Sequence, residues 1–170
     1  MTGAMDFSDM TKRAERVAAL LKTRGETIVI AESSAGGLIA AALLSVPGAS
    51  AYFLGGLVVY TQKARLLQLG IGDLPAGMRA STEPYAALLA QTVRDRFAAT
   101  WSLAESGATG PGGNRYGDAS GHCCLAIAGP MTMSTTVETG SKDYPEDRQA
   151  NMFAFGVAAL DLLEMALVSA

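Results

Sequence analysis

Three residue groups in this 170-residue chain carry the types and spacing that chemistry needs. The first is Glu32-Ser33-Ser34, a carboxylate beside two hydroxyls, followed by Gly36-Gly37. A β-branched run, Ile28-Val29-Ile30, precedes it and an apolar segment beginning at Leu38 follows. That order predicts a buried strand, a polar turn and a helix. Free amides and the positive end of the helix dipole would then face whatever lies over the turn. Ser33 or Ser34 alone could instead be a helix N-cap, with the glycines only allowing close packing. The second is the glycine-rich run Gly107-Ala108-Thr109-Gly110-Pro111-Gly112-Gly113-Asn114, where backbone amides could approach an anion. The third is His122 with the adjacent pair Cys123-Cys124.

Several chemistries are excluded by spacing. Neither serine has a glycine two positions before it, so no G-x-S-x-G nucleophile elbow is present. No Gly-Lys-Ser/Thr exists for a P-loop, and no G-x-G-x-x-G follows the strand. His122 lacks a plausible ligand set in its neighbourhood, so neither a metal nor another cofactor is expected. In a strand, Cys123 and Cys124 would point to opposite faces and could not bridge. Without a disulfide framework a reducing, cytoplasmic setting is expected.

The elements that position these groups follow from periodicity. Hydrophobic residues make up 49% and charged ones 17%, enough for a core in one domain. The formal net charge is −3 with no basic cluster, which argues against a nucleic-acid partner. No apolar run near membrane-spanning length and no secretory leader is read from the sequence, so a membrane is not an expected partner. Met10, Ala14, Val17, Ala18 and Leu21 share one face of a first helix that Ser8 could cap and Gly25 would stop. Strands are expected over 27–31, 52–60, 101–106, 121–128 and 133–139, with a bulge or close approach at Gly55-Gly56. Helices are expected over 38–44, 62–69, from Ser81 or Thr82 to about 100, and from Glu146 or Asp147 onward after a loop over 140–145. Helices alternating with strands, plus one hairpin, predict a three-layer α/β/α domain with a mixed, mostly parallel sheet. The serine turn and the Thr109 loop both follow strands, and ligands gather outside such strand ends. Both turns are therefore expected to face one pocket.

Read together, these segments resemble the CinA C-terminal domain family. Ala31-Glu32-Ser33-Ser34-Ala35-Gly36-Gly37 is similar to its A-E-S-C-T-G-G, and Val46-Pro47-Gly48-Ala49-Ser50-Ala51-Tyr52-Phe53 to V-P-G-S-S-x-x-F. Gly56-Leu57-Val58-Val59-Tyr60 resembles G-x-V-x-Y, and residues 107–113 resemble G-x-A-G-P-x-G. The resemblance implies a nicotinamide-nucleotide amidase, acting on nicotinamide mononucleotide as a homodimer and without a metal. It implies Ser33 as nucleophile, activated by Tyr60 and a lysine in the helix that follows. Arg65 stands at that lysine position, and Lys63 would serve only from a shifted register. Ala35 replaces a threonine, Gly55 an arginine, and Gly140-Ser141-Lys142 keeps only a cation of a G-x-R segment. Glu32, Ser34, Gly36, Gly37, Arg65, Thr109, Gly110, Gly112 and Gly113 are then the expected substrate-binding residues. The alternatives are a catalytically impaired relative that binds a nucleotide or a protein partner, and a purely structural interaction domain.

Overall fold

In the computed structural model, residues 5–139 and 147–170 are described. Helix α1 (Phe7–Arg24) buries Met10, Ala14, Val17, Ala18 and Leu21, as its periodicity requires. Its cap is Asp6 rather than Ser8. The Asp6 carboxylate accepts from the Ser8 and Asp9 amides, and the Asp9 side chain returns the bond to the Asp6 amide. Gly25 closes the helix in the left-handed region.

Strand β1 (Ile28–Glu32) is wholly buried and ends one residue later than expected. Helix α2 (Leu38–Leu44) follows the serine turn. Strand β2 (Phe53–Val58) is shorter than the expected 52–60, so Tyr60 lies beyond it. The register slips between Ile28↔Phe53 and Val29↔Gly55, which is the bulge anticipated there. A side chain at Gly56 would collide with Ala40 of α2, so the close approach is real as well. Helix α3 (Gln62–Leu69) is capped by Thr61, and α4 (Glu83–Phe97) by Thr82 with Pro84 in the first turn.

Strand β3 (Trp101–Ala108) runs two residues beyond the expected end, because Gly107 and Ala108 pair with Cys123 and His122. Strands β4 (His122–Ala128) and β5 (Met133–Glu138) form the expected hairpin. Helix α5 (Arg148–Ser169) is capped by Asp147. Residues Gly140, Ser141 and Lys142, the rest of the loop expected over 140–145, and Glu146 lie outside the described residues.

The sheet order is β2-β1-β3-β4-β5. The β2–β1 and β1–β3 pairs are parallel; β3–β4 and β4–β5 are antiparallel. Four strands thus share one direction and only β4 opposes it. Alternation along β1 divides the core: Ile28 and Ile30 pack beneath α1, α2 and α5, while Val29 and Ala31 pack beneath α4. Cys123 and Cys124 divide in the same way and both are free. Helix α5 corrects the expectation that no segment reaches membrane-spanning length. It is long and apolar enough by composition, but half of that stretch is buried inside the fold, against α1 and α2.

The chain leaves β1 through α2 on one face and reaches β3 after α3 and α4, with α4 on the other. The ends of β1 and β3 therefore flank a switch in strand order, where open sheets leave a crevice.

Candidate functional site

A cleft of about 190 Å³ opens at this sheet edge. Its walls are Ser34, Tyr60, the 107–114 stretch and Arg148. The serine turn and the glycine-rich loop therefore lie on one cavity. Ser33, the hydroxyl expected there, is not among the lining residues. Among the described residues no hydrogen bond reaches its side chain, while its amide donates to Glu105 Oε2 at 3.0 Å.

Glu105 is the centre of the turn. It is fully buried on β3, on the face that carries Leu103. The Ala35 amide also donates to Oε2, at 2.8 Å, and the Ser34 hydroxyl donates to Oε1. Burial raises the Glu105 carboxyl above its usual range, and the three donors oppose that rise.

Glu32 does not reach the cleft. Its carboxyl is buried and caps α2: Oε1 accepts from the Gly37 and Ile39 amides at 3.1 and 2.9 Å, and Oε2 from Ala40 at 2.9 Å. This corrects the expectation of a serine cap and of Glu32 as a ligand contact, since its acceptor sites are occupied by the helix. Desolvation, chiefly, lifts Glu32 to about 7; the helix amides oppose it and the Glu105 charge adds to it. Gly36 and Gly37 are also absent from the cleft. Both adopt positive φ, and a side chain at Gly36 would press on the Met152 methyl of α5. They serve the packing of the turn against α5 and β2.

The loop is fixed from beneath. Asn151 of α5 donates to the Thr109 carbonyl at 3.0 Å, and Asn114 Nδ2 donates to Asp118 at 2.8 Å. The Gly110-Pro111 peptide is cis. Gly110 and Gly113 tolerate no side chain, because Ser120 and the Asp118 carbonyl occupy the space. The Thr109 hydroxyl is buried in the cleft wall and lacks a hydrogen-bond partner among the described residues. Arg148 donates to the Gly110 carbonyl and, at 3.4 Å, to the Tyr60 hydroxyl.

Tyr60, 60% exposed, is also a wall of a second pocket of about 410 Å³. That pocket contains Lys63, Arg65, Arg115 and Tyr116. Lys63 is thus placed in the larger pocket and not in the cleft with Ser34. Arg65 is buried and donates to the Ile71 and Gly72 carbonyls at 3.3 and 2.7 Å, so its guanidinium fastens the loop after α3. His122 bonds Glu138 at 2.6 Å and the Ser81 carbonyl at 3.0 Å.

Glu105 and Arg148 were not among the expected site residues. The one charged residue in the Trp101–Ala108 strand is the signal that marks Glu105 in the sequence. For Arg148, one cation in the first turn of a long helix, the sequence offers no comparable mark.

The family model for the CinA C-terminal domain matches residues 10–167. This chain belongs to the CinA C-terminal domain family. The CinA-like protein of Prochlorococcus marinus (strain MIT 9313) is 43% identical over 124 residues, covering 72% of this chain and 29% of that protein. The CinA-like protein of Gloeobacter violaceus is 37% identical, covering 79% of this chain and 32% of its own length. The chain therefore spans about a third of the curated relatives it matches. The competence or damage-inducible protein from Enterobacter asburiae superposes with a TM-score of 0.84 at 27% identity, covering 93% of this chain and 98% of that one. As a CinA C-terminal domain, the protein presents the serine turn and the glycine-rich loop on one side of the β1–β3 edge, with Arg65 turned to the loop at Ile71 and Gly72.

Proposed function

We propose that this domain hydrolyses the carboxamide of a pyridine nucleotide, nicotinamide mononucleotide, to the acid and ammonia. The observation that carries this reading is the meeting of the serine turn and the Gly107–Asn114 residues on one small cleft. Amide hydrolysis through an acyl-enzyme needs a hydroxyl, a proton acceptor and hydrogen-bond donors for the developing oxyanion. The cleft offers the Ser34 hydroxyl and the Arg148 guanidinium, and its wall holds the buried Thr109 hydroxyl, which has no hydrogen-bond partner among the described residues. The adjoining pocket, with Lys63, Arg115 and three tyrosines, suits an anionic ribose phosphate on the far side of Tyr60.

The reading is tested by ammonia release from nicotinamide mononucleotide. Release above buffer supports it. Binding of the nucleotide without release favours the second reading, a relative that binds a nucleotide without turning it over. Arg65 gives that reading its weight: a guanidinium stays protonated, and this one is committed to two carbonyls. Neither release nor binding ends both.

A further inference from the structure

Glu105 is a buried group that the family resemblance leaves without a role. Every acceptor contact it makes is to the serine turn or the strand beside it. Ser33 and Ala35 hold Oε2 through their amides, at 3.0 and 2.8 Å, which orients the carboxylate. Oε1 is left to the Ser34 hydroxyl, with Cys123 Sγ 3.9 Å away. Ser34 itself is 5% exposed, and that exposure is in the cleft wall beside Tyr60 and Thr109. A hydroxyl that lines a cavity, bonded to a carboxylate oriented by two backbone donors, has the parts of a nucleophile, a base and an orienting group. Among the described residues the Ser33 hydroxyl has none of these relations. Lys63 lies in the other pocket and Arg65 is spent on the Ile71 and Gly72 carbonyls. Among the described residues, Glu105 is the only side-chain acceptor bonded to a hydroxyl of this turn.

We propose that Ser34 is the attacking hydroxyl and Glu105 its general base. The proposal deepens the amidase reading and takes its substrate class from it. Ser34 Oγ bonds to the carboxamide carbon while its proton passes to Glu105 Oε1 and the carbonyl π pair moves to oxygen. Collapse of that adduct breaks the C–N bond. Glu105 returns the proton to the departing nitrogen, ammonia leaves, and Ser34 is acylated. Water then attacks the ester carbon, giving a proton to Glu105, which passes it to Ser34 Oγ as the C–O bond breaks. One amide and one water are consumed; one acid and one ammonia are formed. Burial favours the protonated acid and so strengthens Glu105 as an acceptor once it is ionised.

The test is covalent labelling of the intact chain with diisopropyl fluorophosphate, followed by peptide mass spectrometry. It reads the nucleophile without needing the natural substrate. The expected result is a label on Ser34 that is lost in Ser34→Ala. In Glu105→Gln the labelling rate falls by about 10²-fold or more while the melting transition stays cooperative. A label on Ser33, no label, or a rate indifferent to Glu105→Gln overturns the dyad. If Glu105→Gln does not fold, the wild-type rate against pH decides. A rise with the loss of one proton, above the ordinary glutamate range, supports the dyad, and a flat profile overturns it. Ammonia release is followed in parallel. A labelled Ser34 without ammonia from nicotinamide mononucleotide removes the amidase reading and leaves the dyad standing.

Discussion

Glu32 and Glu105 stand on neighbouring parallel strands, one step beyond the Ala31–Ala104 pair, and point into the same buried layer. Their oxygens are divided between two tasks. Glu32 closes the start of α2, and Glu105 closes the serine turn ahead of it. The backbone of residues 33–40 is thus held from below by two carboxylates, where a sequence reading places serine caps.

Stability should therefore depend on pH in an unusual direction. Both carboxyls are raised on folding, Glu32 to about 7, so between the ordinary glutamate range and neutrality the folded state binds more protons than the unfolded. That contribution is fully present in acid and is lost as pH rises through the folded value. For Glu32 the shift corresponds to roughly 3 kcal/mol. Urea denaturation between about pH 5 and 8 should show stability falling with pH, with a shallower slope in Glu32→Gln. A slope of the opposite sign would show that ionisation of this pair is favoured by the fold.

Arg65→Met should destabilise the fold without emptying the cleft. The guanidinium supplies donors to Ile71 and Gly72, and its removal leaves both carbonyls short of a partner. Bonds of this charged kind are worth about 1.5–3 kcal/mol each, so a loss of at least about 2 kcal/mol in chemical denaturation is expected. An unchanged midpoint would mean that water replaces the arginine at no cost.

The architecture was legible because it rests on local patterns. The period-2 alternation of Ile28-Val29-Ile30-Ala31 assigns each residue to one of two cores, and Thr61 and Thr82 announce the helices they cap. The Thr109 loop was legible from its glycines. Glu32 was misread because its partners are amides five to eight residues ahead, a relation that appears only once the turn has folded back. Glu105 and Ser34 are 71 residues apart, and no local pattern joins them. Arg148 and Gly110 meet for the same reason, through the packing of α5 on the loop. Lys63 and Arg65 were placed correctly on α3, but that helix turns them toward a separate pocket.

Thr109→Val should separate binding from stability. The threonine is 2% exposed and its hydroxyl has no hydrogen-bond partner among the described residues. Replacing a hydroxyl without a partner by a methyl of similar shape is neutral or stabilising, so Tm should hold or rise. If the hydroxyl meets the carboxamide, the same change should weaken nucleotide affinity by about 5-fold, as one neutral hydrogen bond of about 1 kcal/mol would. Calorimetry showing equal affinity in both proteins would place the ligand elsewhere.

The two cavities on either side of Tyr60 should divide the substrate. Arg148 is at the cleft, bonded to Gly110 and Tyr60; Lys63 and Arg115 are in the larger pocket, with Arg115 over the Tyr116 ring at 5.0 Å. If the phosphate occupies the larger pocket, the double change Lys63→Gln/Arg115→Gln should weaken nicotinamide mononucleotide by about tenfold, the loss of about 1.4 kcal/mol of charge-assisted contact. The same variant should bind the phosphate-free riboside as the parent does. Arg148→Gln should weaken nucleotide and riboside alike, because in that orientation its cleft would receive the ring that both carry. Added salt should erode nucleotide affinity in the parent and much less in the double variant, since screening acts on the exposed cations that variant lacks. A double variant that loses riboside and nucleotide equally would put the phosphate outside the Lys63–Arg115 pocket and reverse the orientation assigned to the ligand.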